Sequence, residues 1–168
     1  MKNAARQTMN KQTGFTLIEL VVVIVILGIL AVTAAPKFID LQGDARGAVI
    51  NGVKAAVETA NTGVHAKSLI AGNDNALKAA NQSVNVNDEA ITIGSGWALA
   101  TVDNFNNLLD LDENDFDMAV AGTKIVISQD QDPDLTLTEV EATNCYVSYT
   151  ESADSNVKPD IEAVITGC

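Results

Sequence analysis

The stretch Gly14-Phe15-Thr16-Leu17-Ile18-Glu19 leads directly into an apolar run that extends from Leu20 to Ala35. A helix over residues 15–35, rising about 1.5 Å per residue, is roughly 30 Å long, the thickness of a bilayer's hydrocarbon core. Glu19 is the one strongly polar residue in this segment. Residues 15–35 are therefore predicted to be a transmembrane helix that carries a carboxylate close to its start.

The residues before this helix are polar and basic. Lys2, Arg6 and Lys11 carry positive charge, and no acidic residue precedes Glu19. This pattern is typical of the n-region of a targeting segment, so residues 1–14 are predicted to be a leader outside the mature fold. The positive charge also predicts that the N-terminus stays cytoplasmic while the following segment enters the membrane.

Two ordinary segments have a similar composition. A plain transmembrane anchor accounts for the apolar run but not for the carboxylate near its start. A secretory signal cleaved after the small residues at 33–35 would leave Pro36 at the new N-terminus, and its apolar region would be unusually long. Neither alternative explains Glu19.

A carboxylate inside lipid is costly unless it is paired or protonated, so Glu19 indicates a function. If the chain is cut between Gly14 and Phe15, a new ammonium group forms four residues before Glu19. That amine can approach its own carboxylate within one helix. Between axially staggered helices, it can instead neutralise Glu19 of the next subunit and so set the register of an assembly.

The stretch from Gly14 to Ala31 resembles the type III signal of type IV pilins and related pseudopilins. In that family a membrane prepilin peptidase cuts after the glycine and methylates the new N-terminal amine. The resemblance implies cleavage after Gly14, an N-methylated Phe15 and an assembly carboxylate at Glu19. Residues 34–46 are in addition similar to the mannose-sensitive haemagglutinin (MSHA-type) pilins.

Pro36, which matches the family's proline after the apolar run, lacks a backbone N–H and clashes with the preceding turn, so a helix break or kink is expected there. Residues 36–72 are predicted to form an amphipathic second half of the helix, with Gly72 as its stop. Asn61 is assigned to the polar side of this helix. The apolar stripe is predicted at three- and four-residue steps, over Phe38, Leu41, Ala45, Val49, Val53, Ala56, Ala60 and Val64.

Residues 73–122 are predicted to be a variable region that links the helix to a sheet. A short helix is expected over residues 74–82, and Gly94-Ser95-Gly96 is expected to form a turn. Trp97 is predicted to anchor to the core, and Val102 to Leu111 to form a short helix or a loop.

Residues 123–168 are predicted to form an antiparallel sheet, because β-branched and aromatic runs are separated by short polar connections. Strands are expected over residues 123–128, 145–150 and 161–166. Residues 135–141 are predicted to be a fourth strand or a short helix. The fold class is thus α+β, and the resemblance implies the type IV pilin fold, a long N-terminal helical spine packed on a C-terminal antiparallel sheet.

Cys145 and Cys168 are the two cysteines, and their spacing fits no zinc pattern. In an exported protein they are expected to form a disulfide, which would stabilise the fold by roughly 3 kcal/mol in the chain-entropy estimate. Two free buried thiols would instead fit a cytosolic protein. The N-terminal segment favours export and therefore the disulfide.

The acidic run over residues 110–117 raises the question of calcium. Asp110, Asp112 and Asn114 fall at the first, third and fifth positions of a loop, but Asp115 and Ala121 stand where an EF-hand needs glycine and glutamate. A solvated acidic loop is favoured, with a looser calcium loop as the alternative. The same alternative applies to Asp130, Asp132 and Asp134.

The formal net charge is −12, and most of the carboxylates follow Gly72. An acidic head of this kind repels phosphate backbones, so no nucleic-acid partner is expected. His65 is the only histidine and is predicted to have a packed or surface position. The sequence contains no nucleophile–base set, phosphate-binding loop or metal cluster, so neither an enzyme nor a cofactor is predicted.

The sequence therefore predicts the structural subunit of an MSHA-type type IV pilus. The subunit would wait in the inner membrane as a single-pass protein with a cytoplasmic N-terminus, be processed by the prepilin peptidase, and polymerise through the pilus assembly machinery. The product would be an extracellular homopolymer for surface attachment and cell adhesion. The alternatives are a pseudopilin of a type II secretion system and a membrane-anchored adhesion module that never polymerises.

Overall fold

The computed structural model describes residues 14–75, 82–112, 114–129, 135–154 and 157–168, and at residues 35–40 it describes the backbone alone. Internal contacts divide the chain into two units, Met1–Asp40 and Leu41–Cys168. Of the predicted leader, residues 1–13 lie outside the described residues.

Helix α1 runs from Leu17 to Ala71. It ends where predicted, at Gly72, whose φ of +71° is a left-handed conformation that glycine adopts without strain. The N–H of Gly72 donates to the carbonyl of Leu69 at 3.2 Å and closes the last turn. The backbone at position 36 is helical, and the side chain of Pro36 lies outside the described residues. The helix break or kink expected there stays a prediction.

In the first unit, the side chains of α1 between Leu17 and Ala34 are exposed, and the mean hydropathy of this 18-residue stretch is 3.0. The stretch is long enough and apolar enough to cross a membrane. The sequence prediction for this segment is therefore matched in length, composition and helical conformation.

The second unit contains two antiparallel sheets in its described residues. The first sheet has the order β1-β2-β3, with β1 at Gln82–Val86, β2 at Glu89–Gly94 and β3 at Trp97–Ala98. The second has the order β4-β5-β6-β7, with β4 at Asp117–Ala121, β5 at Lys124–Ser128, β6 at Tyr146–Thr150 and β7 at Asp160–Val164. Two short helices complete the unit, α2 at Val102–Leu108 and α3 at Leu137–Thr143.

Local sequence explains the ends of these elements. Asn87 and Asp88, with φ of 53° and 68°, form the tight turn of the β1–β2 hairpin, a conformation that these residues tolerate. Thr101 caps α2 by accepting from the N–H of Asn104. Thr136 and Glu139 form a capping box at the start of α3.

The core of the second unit forms between α1, α2 and the sheets. Ile50, Val53 and Val57 of α1 are buried in one cluster with residues of α2 and the four-stranded sheet. Val64 of α1 is buried in a second cluster with residues of the three-stranded sheet. The buried members from the other elements are Phe105, Ile125, Ile127, Val147 and Tyr149 in the first cluster and Val84, Ile91, Ile93 and Ala98 in the second.

The predicted apolar stripe of α1 is wrong in register. Val53 and Val64 are buried as predicted, whereas Ala45, Val49 and Ala56 are exposed. The buried face instead includes Ile50, Val57 and two polar residues, Asn61 and Ser68. This half of α1 has apolar residues on two faces, so periodicity alone selected a stripe of which several members are exposed.

The α+β class and the antiparallel sheet are confirmed, and so are the strands expected near residues 123–128, 145–150 and 161–166. Residues 137–143 are helical, which decides between the strand and the helix proposed for that region. Strands β1, β2, β3 and β4 were not predicted. Residues 76–81 of the short helix expected over 74–82 lie outside the described residues, and its last residue, Gln82, begins β1.

Candidate functional site

The start of α1 is held by reciprocal hydrogen bonds between Thr16 and Glu19. Oε2 of Glu19 accepts from the backbone N–H and from the hydroxyl of Thr16, both at 2.8 Å. The N–H of Glu19 donates to Oγ1 of Thr16 at 3.3 Å. This is the arrangement of a capping box, which satisfies donors that a helix start otherwise leaves unpaired.

The predicted processing residues precede this cap. Phe15 is 88% exposed, and Gly14 is exposed as well. A Cβ built on Gly14 meets no atom within 4 Å. The peptide bond between Gly14 and Phe15 therefore lies in an exposed, non-helical segment just before α1.

The carboxylate of Glu19 keeps one oxygen for a further partner. Both bonds from Thr16 end on Oε2, and Oε1 accepts no hydrogen bond from the described part of the chain. No described lysine or arginine pairs with Glu19. The carboxylate of Glu19 can thus accept the capping hydrogen bonds through Oε2 and bind an ammonium group through Oε1 at the same time.

Thr16 is the functional residue that the sequence analysis missed. The pattern Thr16-Leu17-Ile18-Glu19 has the spacing of a capping box ahead of an apolar helix and was readable from the sequence. From the sequence, Glu19 was interpreted as a charge in lipid and as an assembly carboxylate, and not as part of a helix cap. The structure adds that its carboxylate also fixes where the helix begins.

The predicted disulfide is present between Cys145 and Cys168. It closes the end of the chain onto the residue before β6, with a sequence separation of 23. The segment next to the bridge packs on glycines of α1: a Cβ on Gly43 would lie 3.4 Å from the carbonyl of Cys168, and one on Gly47 would lie 3.7 Å from Ile165. Small residues on α1 thus allow the disulfide-bonded segment to approach the helix.

Two of the weak calcium candidates, Asp112 and Asn114, are hydrogen bonded to each other. Oδ1 of Asp112 accepts from the backbone N–H of Asn114 at 2.9 Å and from its side-chain amide at 2.7 Å, and these bonds lower the pKa of the Asp112 carboxyl. Asp110 is exposed beside them. The described residues contain no group of three His, Cys, Asp or Glu side chains that could hold a metal ion. Residues 130–134, with the other acidic candidates, lie outside the described part of the chain.

His65 has a packed position, which is one of the two positions that the sequence predicts. Its ring stacks on Trp97 with centroids 3.9 Å apart and an angle of 3° between the planes. Its Nδ1 lies 3.1 Å from the carbonyl oxygen of Gly96. Trp97 is buried, as expected of an anchor to the core. These contacts join the C-terminal part of α1 to the turn between β2 and β3 and to the start of β3.

Comparison with known proteins places the similarity at the N-terminus. The prokaryotic N-terminal methylation motif matches residues 9–35. The type IV narrow pilus major component PilA5 of Thermus thermophilus is 53% identical over 47 residues, which cover 28% of this chain and 40% of that protein. The type IV major alpha-pilin of Moraxella bovis is 48% identical over 52 residues, which cover 31% and 33% of the two chains.

The chain thus spans well under half the length of these two curated relatives. No solved structure matches the chain significantly. The matched region nevertheless contains Gly14, Phe15 and Glu19 in an exposed segment and a capped apolar helix. A long N-terminal helix followed by antiparallel sheets is also the layout of the type IV pilin fold. The methylation motif, the two pilin relatives and this fold together support a type IV pilin.

Proposed function

We propose that this chain is the structural subunit of an MSHA-type type IV pilus. The observation that carries the proposal is the N-terminal methylation motif at residues 9–35, which overlaps a capped, exposed, membrane-length helix. The finer assignment to the MSHA type is supported by the similarity of residues 34–46 to those pilins. Surface attachment and cell adhesion are the activities that this assignment implies.

Processing by a prepilin peptidase would cut the bond after Gly14 and leave Phe15 with a methylated amine. The exposure of both residues supports access to this bond. The basic leader supports an N-terminus that stays on the cytoplasmic side of the inner membrane before assembly. The segment 15–35 then serves first as the single membrane span and afterwards as part of the filament core.

Assembly would bring the amine of Phe15 in one subunit to Glu19 of another. The free Oε1 of Glu19 supports this pairing, because the cap uses Oε2. Neutralisation removes the cost of leaving an unpaired carboxylate among apolar helices. The pairing also fixes the axial register of neighbouring subunits, since each carboxylate accepts one amine.

Sheared surface material provides the test. We expect electron microscopy to show filaments and mass spectrometry of their subunit to find an N-terminal, methylated Phe15. A Gly14 substitution by a bulky residue should leave a membrane-bound precursor of full length. Filaments built of uncut chains would contradict the processing scheme. A processed subunit that stays in the periplasm without surface filaments would instead indicate a pseudopilin.

A further inference from the structure

Part of the apolar stripe predicted on α1 is exposed in the second unit. Leu41 and Val49 are 61% and 40% exposed, and Ala45 between them is exposed as well. Steps of four residues place all three on one side of the helix. We call Leu41, Ala45 and Val49 the ridge. Large apolar side chains on an exposed ridge indicate a surface that a partner covers.

A groove lies further along the same helix. Its volume is about 590 Å³, and its surface is mainly apolar. One wall belongs to α1 and the other to the end of α2 and the residues that follow it, with Asp110 as the charged residue of the lining. The lining residues are Ala55, Ala56, Thr59, Ala60, Leu108, Leu109, Asp110 and Leu111. The four small residues of α1 let another helix approach closely, while the leucines offer it apolar contact.

The charged residues near the ridge and in the groove indicate which partner the groove binds. Arg46 is exposed beside the ridge, and neither Arg46 nor Asp110 has an ion-pair partner among the described residues. On a chain of net charge −12, copies repel each other over most of their surfaces. A contact between copies therefore needs a place where a cation of one meets a carboxylate of the other. The ridge and the groove supply one such pair.

We propose that the ridge of one copy of this chain docks in the groove of a second copy, so that Arg46 beside the ridge lies next to Asp110 of the groove. Ridge and groove are different surfaces of the same molecule, so the contact is head-to-tail. Such a contact repeats into an open filament if the rotation does not close a ring. The inference rests on the proposed pilus function and names a contact that the second unit contributes to it.

Reciprocal charge reversal tests the pair in the full-length chain. We expect Arg46→Glu and Asp110→Arg each to lower the yield of sheared filament roughly tenfold or more, and the double variant to recover most of the loss. Glu89→Arg, which makes the same charge change on an exposed residue outside the groove, is the matched control and should assemble normally. Equal amounts of processed subunit in the membrane show that each variant folds.

A cysteine pair tests the docking directly. Val49 and Thr59 are ten residues apart on α1, about 15 Å along one helix, which is too far for a disulfide within one chain. The Val49→Cys, Thr59→Cys double variant should therefore give ladders of disulfide-linked oligomers from oxidised filaments, and each single variant should not. Wild-type yields from both charge reversals, or filaments without ladders, would overturn the docking but not the pilus. Absence of filaments from the wild-type chain would overturn the pilus function itself.

Discussion

Thr16 and Glu19 hydrogen bond in both directions, and the carboxylate uses only Oε2 to do so. The residue that the resemblance to pilins marks as an assembly charge is therefore also the glutamate at the N3 position of a capping box. One oxygen fixes the start of the helix, and the other accepts no hydrogen bond from the described part of the chain. The two tasks are separable by substitution, because capping needs a hydrogen-bond acceptor whereas pairing needs a negative charge.

Glu19→Gln and Thr16→Val separate these tasks. Glutamine also functions in a capping box but cannot neutralise an ammonium group, so we expect Glu19→Gln to be processed normally and to lose most filament assembly. Thr16→Val loses the capping hydroxyl, which should weaken the helix start by about 1 kcal/mol while the charge remains. Mass spectrometry of the N-terminus and counting of filaments by electron microscopy provide the measurements. Normal piliation by Glu19→Gln would show that the charge is not what assembly requires.

Asn104 joins α2 to the three-stranded sheet through four hydrogen bonds. Its Oδ1 accepts from the backbone N–H and the hydroxyl of Thr92, and its Nδ2 donates to the carbonyls of Thr92 and Leu99. Asn104→Ala leaves these groups without their partner and should lower the free energy of unfolding by about 3 kcal/mol.

Chemical denaturation of the purified subunit in detergent measures this change. Asn107→Ala is the matched control, since Asn107 is exposed on the same helix and should change the free energy of unfolding by less than about 0.5 kcal/mol. If the two variants unfold alike, the network around Asn104 contributes no net stability.

Local signals were sufficient for some parts of the fold and insufficient for others. The capped apolar helix and its stop at Gly72 follow from adjacent residues, and the pairing of Cys145 with Cys168 follows from there being two cysteines in a chain predicted to be exported. The buried face of α1 does not follow from adjacent residues. Ile50 and Val49 are both apolar, and only packing against the sheets decides which of them is covered. Asn61 is buried because its Oδ1 accepts from the N–H of Ala98, 37 residues away.

The missed strands have the same explanation. Strand β1 contains Gln82, Ser83 and Asn85, residue types of low strand propensity, and it forms because it pairs with β2 along its whole length. At the candidate site the capping box was visible in the sequence. The groove was not, since it depends on residues about fifty positions apart, Ala56 and Leu109.

Gly167 is required by the close approach of the chain to Thr143. A Cβ on Gly167 would lie 2.0 Å from the carbonyl oxygen of Thr143, and this is a main-chain atom that cannot rotate away. Gly167→Ala should therefore displace the segment next to the disulfide and cost about 1–3 kcal/mol of unfolding free energy.

Gly63→Ala is the control for this change. Gly63 lies in the interior of α1, and a Cβ there meets no atom within 4 Å. Alanine favours helix over glycine, so Gly63→Ala should raise the free energy of unfolding by about 0.5–1 kcal/mol. Thermal or chemical unfolding should show that the two variants change the free energy of unfolding with opposite signs. Equal stability of Gly167→Ala and the wild type would mean that the end of the chain moves aside without cost.

Lys124 of β5 and Glu141 of α3 form an ion pair that should make stability depend on pH in the alkaline range. The hydrogen bond to Glu141 is the main cause that raises the pKa of Lys124 above its ordinary value. The contribution of this ion pair to the free energy of unfolding is therefore complete below the pKa of an unfolded lysine, about 10.4. It is lost as the pH rises through the pKa of Lys124 in the folded protein. Burial also raises the pKa of Tyr149, and this adds a further loss of stability in the same alkaline pH range.

Lys124→Gln isolates the lysine, because Tyr149 is common to both proteins and its effect cancels in the difference. We expect the variant to be less stable than the wild type at about pH 8 and the difference to shrink as the pH rises above about 10.4. Lys158→Gln, a change of the same type at an exposed lysine, should show a small difference at every pH. Urea denaturation across this range is the measurement. A stability difference for Lys124→Gln that stays constant up to the highest pH would show that packing of the lysine stem, rather than its charge, stabilises the contact between α3 and the sheet.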